Sequence, residues 1–164
     1  MTQHYYAFFQ TDMGRVGILG SESGLLAATI FQSSASEAER SLGDIKNAVR
    51  SEKPFADLIK RLKAYFAGEK VAFPDKLDLS WATDFEREVW RITQTIPYGE
   101  TRSYGWIAEK MGKRGARAVG QALARNRLPV IIPCHRVLAS DGNLGGYSGG
   151  VGMKESLLRL EAHR

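Results

Sequence analysis

The chain is 164 residues long, 43% hydrophobic and net +5 at pH 7, enough for one large domain or two small ones with a genuine core. No apolar run approaches a membrane span, and Met1–Tyr5 lacks the basic-then-apolar order of a signal peptide, so a cytoplasmic location without membrane association is expected. A single cysteine excludes an internal disulfide and a multi-cysteine zinc site and fits a reducing compartment; neither metal nor cofactor is expected.

Charge is uneven along the chain. Residues 1–80 carry 10 Lys/Arg and 10 Asp/Glu, while residues 81–164 carry 13 and 8. From Lys110 to Ser140 there is no acidic residue, and Lys110, Lys113, Arg114, Arg117, Arg125, Arg127 and Arg136 all fall there. A one-sided basic stretch marks either a polyanion-binding face or a solvated surface.

In chain order, Tyr5–Gln10, Val16–Leu19 and Leu25–Phe31 are short apolar runs separated by Asp12-Met13-Gly14 and Glu22-Ser23-Gly24, the pattern of an antiparallel meander. Ser36 and Glu39 form a capping-box pair ahead of Ala38, Leu42, Ile45 and Val49 at helical spacing. A second helix is predicted from about Phe55 to Ala67, stopped by Gly68. Val71–Leu79 reads as an irregular connector. Nothing in residues 1–80 proposes chemistry, and they read as a small α/β support domain.

Residues 81–164 form the second predicted domain. Thr83 and Glu86 make another capping box, followed by Phe85, Val89, Ile92 and Ile96 on one stripe. Ser103 is placed to cap a short helix, Tyr104–Met111. A glycine turn, Gly112–Gly115, leads to a second helix over Ala116–Asn126, which gives a helix-turn-helix pattern. Ala116, Ala118, Gly120, Ala122 and Ala124 make that helix slender, with Arg117 and Arg125 at its ends. A slender basic helix suits close approach to a nucleic-acid groove, or close packing inside the domain.

The Val130-Ile131-Ile132 run reads as a strand leading into Pro133-Cys134-His135-Arg136-Val137, which holds the lone thiol beside a histidine. Such a cysteine is either buried filler or a nucleophile. The glycine-rich loop Asp141–Gly150 lacks the P-loop lysine-serine pair, and suits closure over a flat ligand with Tyr147 as a wall and Ser148 as a donor. A last helix, Val151–Ala162, puts Glu161 on a face shared with Leu157 and Leu158, where a carboxylate needs a partner. His135 is the candidate, which makes Cys134, His135 and Glu161 a possible thiol–imidazole–carboxylate relay.

The combination of Ile96–Tyr104, Arg117-Ala118-Val119-Gly120, Asn126, Ile132–Val137, Gly145–Gly150 and Glu161 closely resembles the O6-alkylguanine-DNA alkyltransferases over about residues 80–162. The resemblance implies a ribonuclease-H-like α/β domain followed by a mostly helical domain with a helix-turn-helix. It implies direct, stoichiometric transfer of an alkyl group from O6 of a flipped-out guanine, and from O4 of thymine, to Cys134. In that scheme His135 draws off the thiol proton through a water and Glu161 orients it. Asn126 ties the helix-turn-helix to the active-site loop. Tyr104 contacts the target phosphate and the guanine edge, and Arg117 fills the gap in the duplex. Ala116, Gly120 and Arg125 line the DNA face in the minor groove. Pro129, Val137, Tyr147 and Ser148 form the pocket. The implied partner is double-stranded DNA bearing O6-alkylguanine, met by a monomer that can bind DNA cooperatively. Two features depart from the family pattern: Arg127-Leu128-Pro129 follows Asn126, where a proline directly after the asparagine is common, and Trp106 is bulky. A non-catalytic binder of alkylated DNA and a thiol hydrolase are the competing readings.

Overall fold

A computed structural model describes residues 2–31, 42–43, 45–112, 115–139, 142 and 151–162. The chain divides into two compact units, Met1–Leu79 and Ser80–Arg164.

The first unit is built on a four-stranded sheet in the order β3-β2-β1-β4. Strands β1 (His4–Thr11), β2 (Gly14–Ser21) and β3 (Gly24–Phe31) form the expected antiparallel meander. Gly14 and Gly24 sit at φ 121° and 130°, conformations that side chains rarely adopt, so glycine at each hairpin turn follows from the geometry. The fourth strand, β4 (Val49–Arg50), pairs parallel with Tyr5 and Tyr6. Val49 therefore ends in a strand and not on the helix that its spacing suggested: a β-branched residue beside an open sheet edge gains ladder hydrogen bonds there. Residues 36–41, with the Ser36/Glu39 pair, lie outside the described residues, while Ile45–Ala48 form a turn in place of the expected helix, closed by Ala48 N donating to the Ile45 carbonyl at 3.0 Å.

A 3-10 turn (Lys53–Phe55) leads into α1 (Ala56–Phe66), which buries Leu58, Ile59, Leu62, Tyr65 and Phe66. The helix ends in a Schellman motif. Gly68 at φ 99° donates to the Tyr65 carbonyl at 3.0 Å, and Glu69 donates to Ala64 at 3.0 Å. The connector after it is irregular but anchored, because Leu25 exchanges backbone hydrogen bonds with Lys76 (2.9 Å) and Asp78 (2.8 Å).

The second unit is mostly helical: α2 (Asp84–Thr93), α3 (Tyr104–Lys110), α4 (Ala116–Ala124) and α5 (Val151–Ala162). Both expected caps form. Thr83 and Glu86 close a full capping box, and the Ser103 side chain accepts from Trp106 N at 3.0 Å. A two-stranded parallel sheet pairs β5 (Arg102–Ser103) with β6 (Val137–Leu138). Trp90 is fully buried and its indole donates to the Ala122 carbonyl at 3.0 Å, which fastens α4 to α2.

The approach to Cys134 is not the strand expected. Val130 lies in a turn at φ 74°, a strained position for a β-branched residue. Pro133 (φ −79°, ψ 61°) makes an inverse γ-turn, with Cys134 N donating to the Ile132 carbonyl at 2.7 Å. Cys134–Arg136 then form one turn of 3-10 helix. The apolar run reads as a strand because all three side chains are buried, but here burial comes from packing a loop and not from a ladder.

Candidate active site

Asn126 organises this loop from within. Its side-chain oxygen accepts from Leu128 N at 2.8 Å, and its amide donates to the Ile132 carbonyl at 3.0 Å and to the Cys134 sulfur at 3.1 Å. These three bonds use both ends of a buried amide and tie the exit of α4 to the thiol. The bonds to Leu128 and Ile132 bracket Val130 on either side, so the strained residue sits inside a loop fixed at both ends.

His135 and Glu161 meet, as expected. His135 is 0% exposed, and its Nε2 lies 2.5 Å from a Glu161 carboxylate oxygen. The sequence did not reveal how fully that carboxylate is held. Arg136 embraces it with Nε at 2.9 Å and a terminal nitrogen at 3.0 Å, and Gly99 N donates to it at 3.0 Å. The other terminal nitrogen of Arg136 donates to the Ile96 carbonyl at 2.8 Å. A carboxylate receiving a two-pronged guanidinium and a backbone N–H serves as an ionised acceptor, which places the imidazole proton on Nε2 and leaves Nδ1 as the basic nitrogen. Burial lowers the His135 pKa from its ordinary value. The hydrogen bond and charge of Glu161 oppose that shift, and the positive charges of Arg136 and Lys154 add to it. The resting imidazole is neutral, as a base must be.

Lys154 is a second buried cation, 1% exposed, donating to the Val137 carbonyl at 2.7 Å and lying 5.8 Å from the centre of the Tyr104 ring. Burial lowers its pKa, while the charge of an ionised Cys134 raises it, so thiolate and ammonium favour each other. Sequence reading grouped Arg136 with the general basic stretch and gave Lys154 no role. The usable signal was Lys154 at one helical turn from Leu157 and Leu158, a cation on a buried stripe.

The other expected positions are distributed as follows. Tyr104 is half-buried at the start of α3, and a Cβ on Gly120 would sit 3.9 Å from its ring, so α3 and α4 touch there. Arg117 and Ala118 face solvent, and Ala116 and Gly120 are half-buried, which leaves a slender outward face on α4. Ala122 is packed inside. Arg125 is largely exposed, and its Nε pairs with the buried Glu86 at 2.8 Å. Val137 is buried and Pro129 half-buried, while Tyr147 and Ser148 lie outside the described residues. Arg127, the departure after Asn126, stacks its guanidinium 5.5 Å from the Trp81 ring centre. Among the described residues no group of three or more His, Cys, Asp or Glu side chains could hold a metal, and no helix is long and apolar enough to cross a membrane.

Residues 4–79 match the family described as 6-O-methylguanine DNA methyltransferase, ribonuclease-like domain, and residues 84–163 match 6-O-methylguanine DNA methyltransferase, DNA binding domain. A methylated-DNA--protein-cysteine methyltransferase of Methanosarcina acetivorans is 39% identical over 96% of this chain and 97% of its own length. The chain belongs to the 6-O-methylguanine DNA methyltransferase family. A Mycobacterium leprae member is 53% identical over 67% of each chain. Among solved structures, Mycobacterium tuberculosis OGT in complex with DNA is 38% identical and superposes with a TM-score of 0.83 over 96% of this chain and 92% of that one. Membership accounts for the fold class read from the sequence, a ribonuclease-like α/β unit followed by a helical DNA-binding unit.

Proposed function

We propose that the protein repairs DNA by moving an alkyl group from O6 of guanine, and from O4 of thymine, onto Cys134, as a single-use reagent working in the cytoplasm. The observation that carries this reading is the Cys134 thiol held by Asn126 beside a His135–Glu161–Arg136 array, in a unit that also presents a helix-turn-helix. Cys134 is 4% exposed, so a stacked base has no route to it, and the target nucleotide must leave the duplex.

Each step then has an owner. Adjacent side chains in a 3-10 turn diverge by about 120°, so a water carries the thiol proton from Cys134 to Nδ1 of His135. Glu161 steadies the imidazolium and Lys154 the thiolate. Sulfur bonds to the alkyl carbon as the carbon–O6 bond breaks. The electron pair leaves with guanine, which takes a proton back from the relay. Tyr104 and Arg117 are assigned to the extruded nucleotide and the gap it leaves, and Ala116, Gly120 and Arg125 to the minor-groove face. Pro129, Val137, Tyr147 and Ser148 are assigned to the base pocket. The product is a thioether, which offers no carbonyl for hydrolysis, so one molecule repairs one lesion.

Intact-mass measurement after incubation with a duplex containing O6-methylguanine tests the proposal. One methyl per chain, absent from Cys134→Ala, is expected. Tight binding without mass change would mean a non-catalytic binder, and turnover of an ester would mean a thiol hydrolase.

A further inference from the structure

Trp106, bulky on the first helix of the pair, has no role in the relay proposed above. Along α3, Ile107 and Ala108 are buried and Tyr104 meets Gly120, while Trp106 is half-buried and Lys110 is exposed. The Lys110 ammonium lies 5.3 Å from the Trp106 ring centre and the Arg102 guanidinium carbon 5.4 Å from it. One indole therefore gathers two cations, drawn from β5 and from the last turn of α3. Arg102 is further fixed by bonds to the Thr101 carbonyl at 2.8 Å and to Glu100 at 2.9 Å.

Two like charges on one ring repel each other, and each exposed cation–π contact offsets this only weakly. The arrangement gains most when an anion joins it. Lys and Arg side chains lose considerable rotamer freedom when they are ordered, so cations already steadied by a ring bind a polyanion at lower entropic cost. Glu100 holds Arg102 through a pair that is half-exposed on the carboxylate side, the kind of surface bridge a phosphate displaces. In a helix-turn-helix the first helix is the one that crosses the nucleic-acid backbone. Here that helix is α3, and the two cations border its outward side.

We propose that Arg102, Trp106 and Lys110 form a phosphate clamp for one DNA strand, a contact distinct from the groove face of α4. The clamp reads no sequence; it fixes register and adds affinity on any duplex. The inference rests on the DNA-repair reading above.

The test is binding of an unmodified duplex across salt by wild type, Lys110→Gln, Arg102→Gln, Trp106→Leu and, as a control of equal charge loss on the first unit, Lys70→Gln. Lys110→Gln and Arg102→Gln are each expected to flatten the slope of log K against log salt by about 0.9, and to weaken binding about tenfold near 50 mM salt. Trp106→Leu removes no charge, yet is expected to weaken binding about threefold or more through the lost cation–π contacts. A Lys110→Gln slope equal to that of wild type or of Lys70→Gln overturns the clamp. So does wild-type affinity in Trp106→Leu. Lys110 is a surface side chain, so its result stands even if the tryptophan variant folds poorly. Methyl uptake by wild type from the lesion-bearing duplex is scored separately; its absence would sink the repair reading, whatever the slopes.

Discussion

Among the described residues the first unit buries one polar side chain, Thr11, whereas the second buries Glu86, Thr93, Asn126, His135, Arg136, Lys154 and Glu161. Both units have apolar cores, so the contrast is not one of hydrophobic content. Thr11 serves its own hairpin, donating to the Gly14 carbonyl at 2.6 Å and accepting from Met13 N at 3.2 Å. In the second unit Glu86 and Thr93 serve α2 itself, as a capping residue and a bond back to the Val89 carbonyl, whereas Asn126, His135, Arg136, Lys154 and Glu161 bond to one another or to the loop around the thiol. Desolvating charge is costly unless every charge is paired. A cluster of this kind persists where pre-set electrostatics serve chemistry, and the contrast separates a scaffold from a site.

The largest effect that would sharpen the contrast is expected from Arg136→Met. It takes the two-pronged guanidinium away from the buried Glu161 carboxylate, and breaking a buried pair in this way costs about 3–5 kcal/mol. Urea unfolding measures it. A loss below about 1 kcal/mol would mean that the guanidinium is solvated in solution and the cluster is not a buried network.

Asn126→Ala comes next. It removes three bonds at once and leaves Leu128 N and the Ile132 carbonyl buried without that partner, for an expected loss of about 3 kcal/mol. It also frees Val130 from φ 74°. The rate of methyl uptake should fall further than stability alone explains, because the thiol loses its donor and its loop loses its shape. Thr11→Val is the counterpart in the first unit, with an expected loss of about 1 kcal/mol and unchanged methyl uptake.

Much of this was legible in the sequence, for identifiable reasons. Thr83/Glu86, Ser103 and Gly68 act locally, within a turn of the backbone they cap, so residue order alone reveals them. Cys134, His135 and Glu161 were legible as chemistry because a lone thiol beside an imidazole and a carboxylate on an apolar face are both unusual. Val49, Val130 and Arg125 were not legible. Their conformations are set by partners far along the chain: the β1 edge, the Asn126 amide and the buried Glu86. Arg136 was hidden by its neighbours, since seven basic residues in one stretch give no sign of which one turns inward.

pH acts on the second unit through His135. Its folded pKa lies below its ordinary value because burial disfavours the cation, so the unfolded chain binds the proton more readily. The stability from the neutral buried ring is complete above about pH 6.5 and is lost as pH falls through that value toward the lowered folded pKa. The expected slope is at most about 1.4 kcal/mol per pH unit, read from urea midpoints on either side of pH 6.5. The acid limb of the methyl-transfer rate should lie below the same value. A rate that already halves well above it would mean that the imidazole is not the base.

Lys154→Met is expected to change stability least while still changing function. The ammonium is disfavoured by burial, so replacing it with an apolar chain of similar length relieves that cost. Against this, the Val137 carbonyl loses its donor, a loss of comparable size. The two effects nearly cancel, and the melting curve should shift by no more than about 1 kcal/mol. The rate is a different matter. Lys154 is the cation whose charge and the thiolate favour each other, so removing it makes the thiol harder to ionise. Methyl transfer near neutral pH should slow, and its rate profile should move toward alkaline pH. Slow transfer with an unmoved profile would assign Lys154 to holding the Val137 backbone in place. A moved profile at unchanged stability would show a buried charge retained for the thiol and not for the fold.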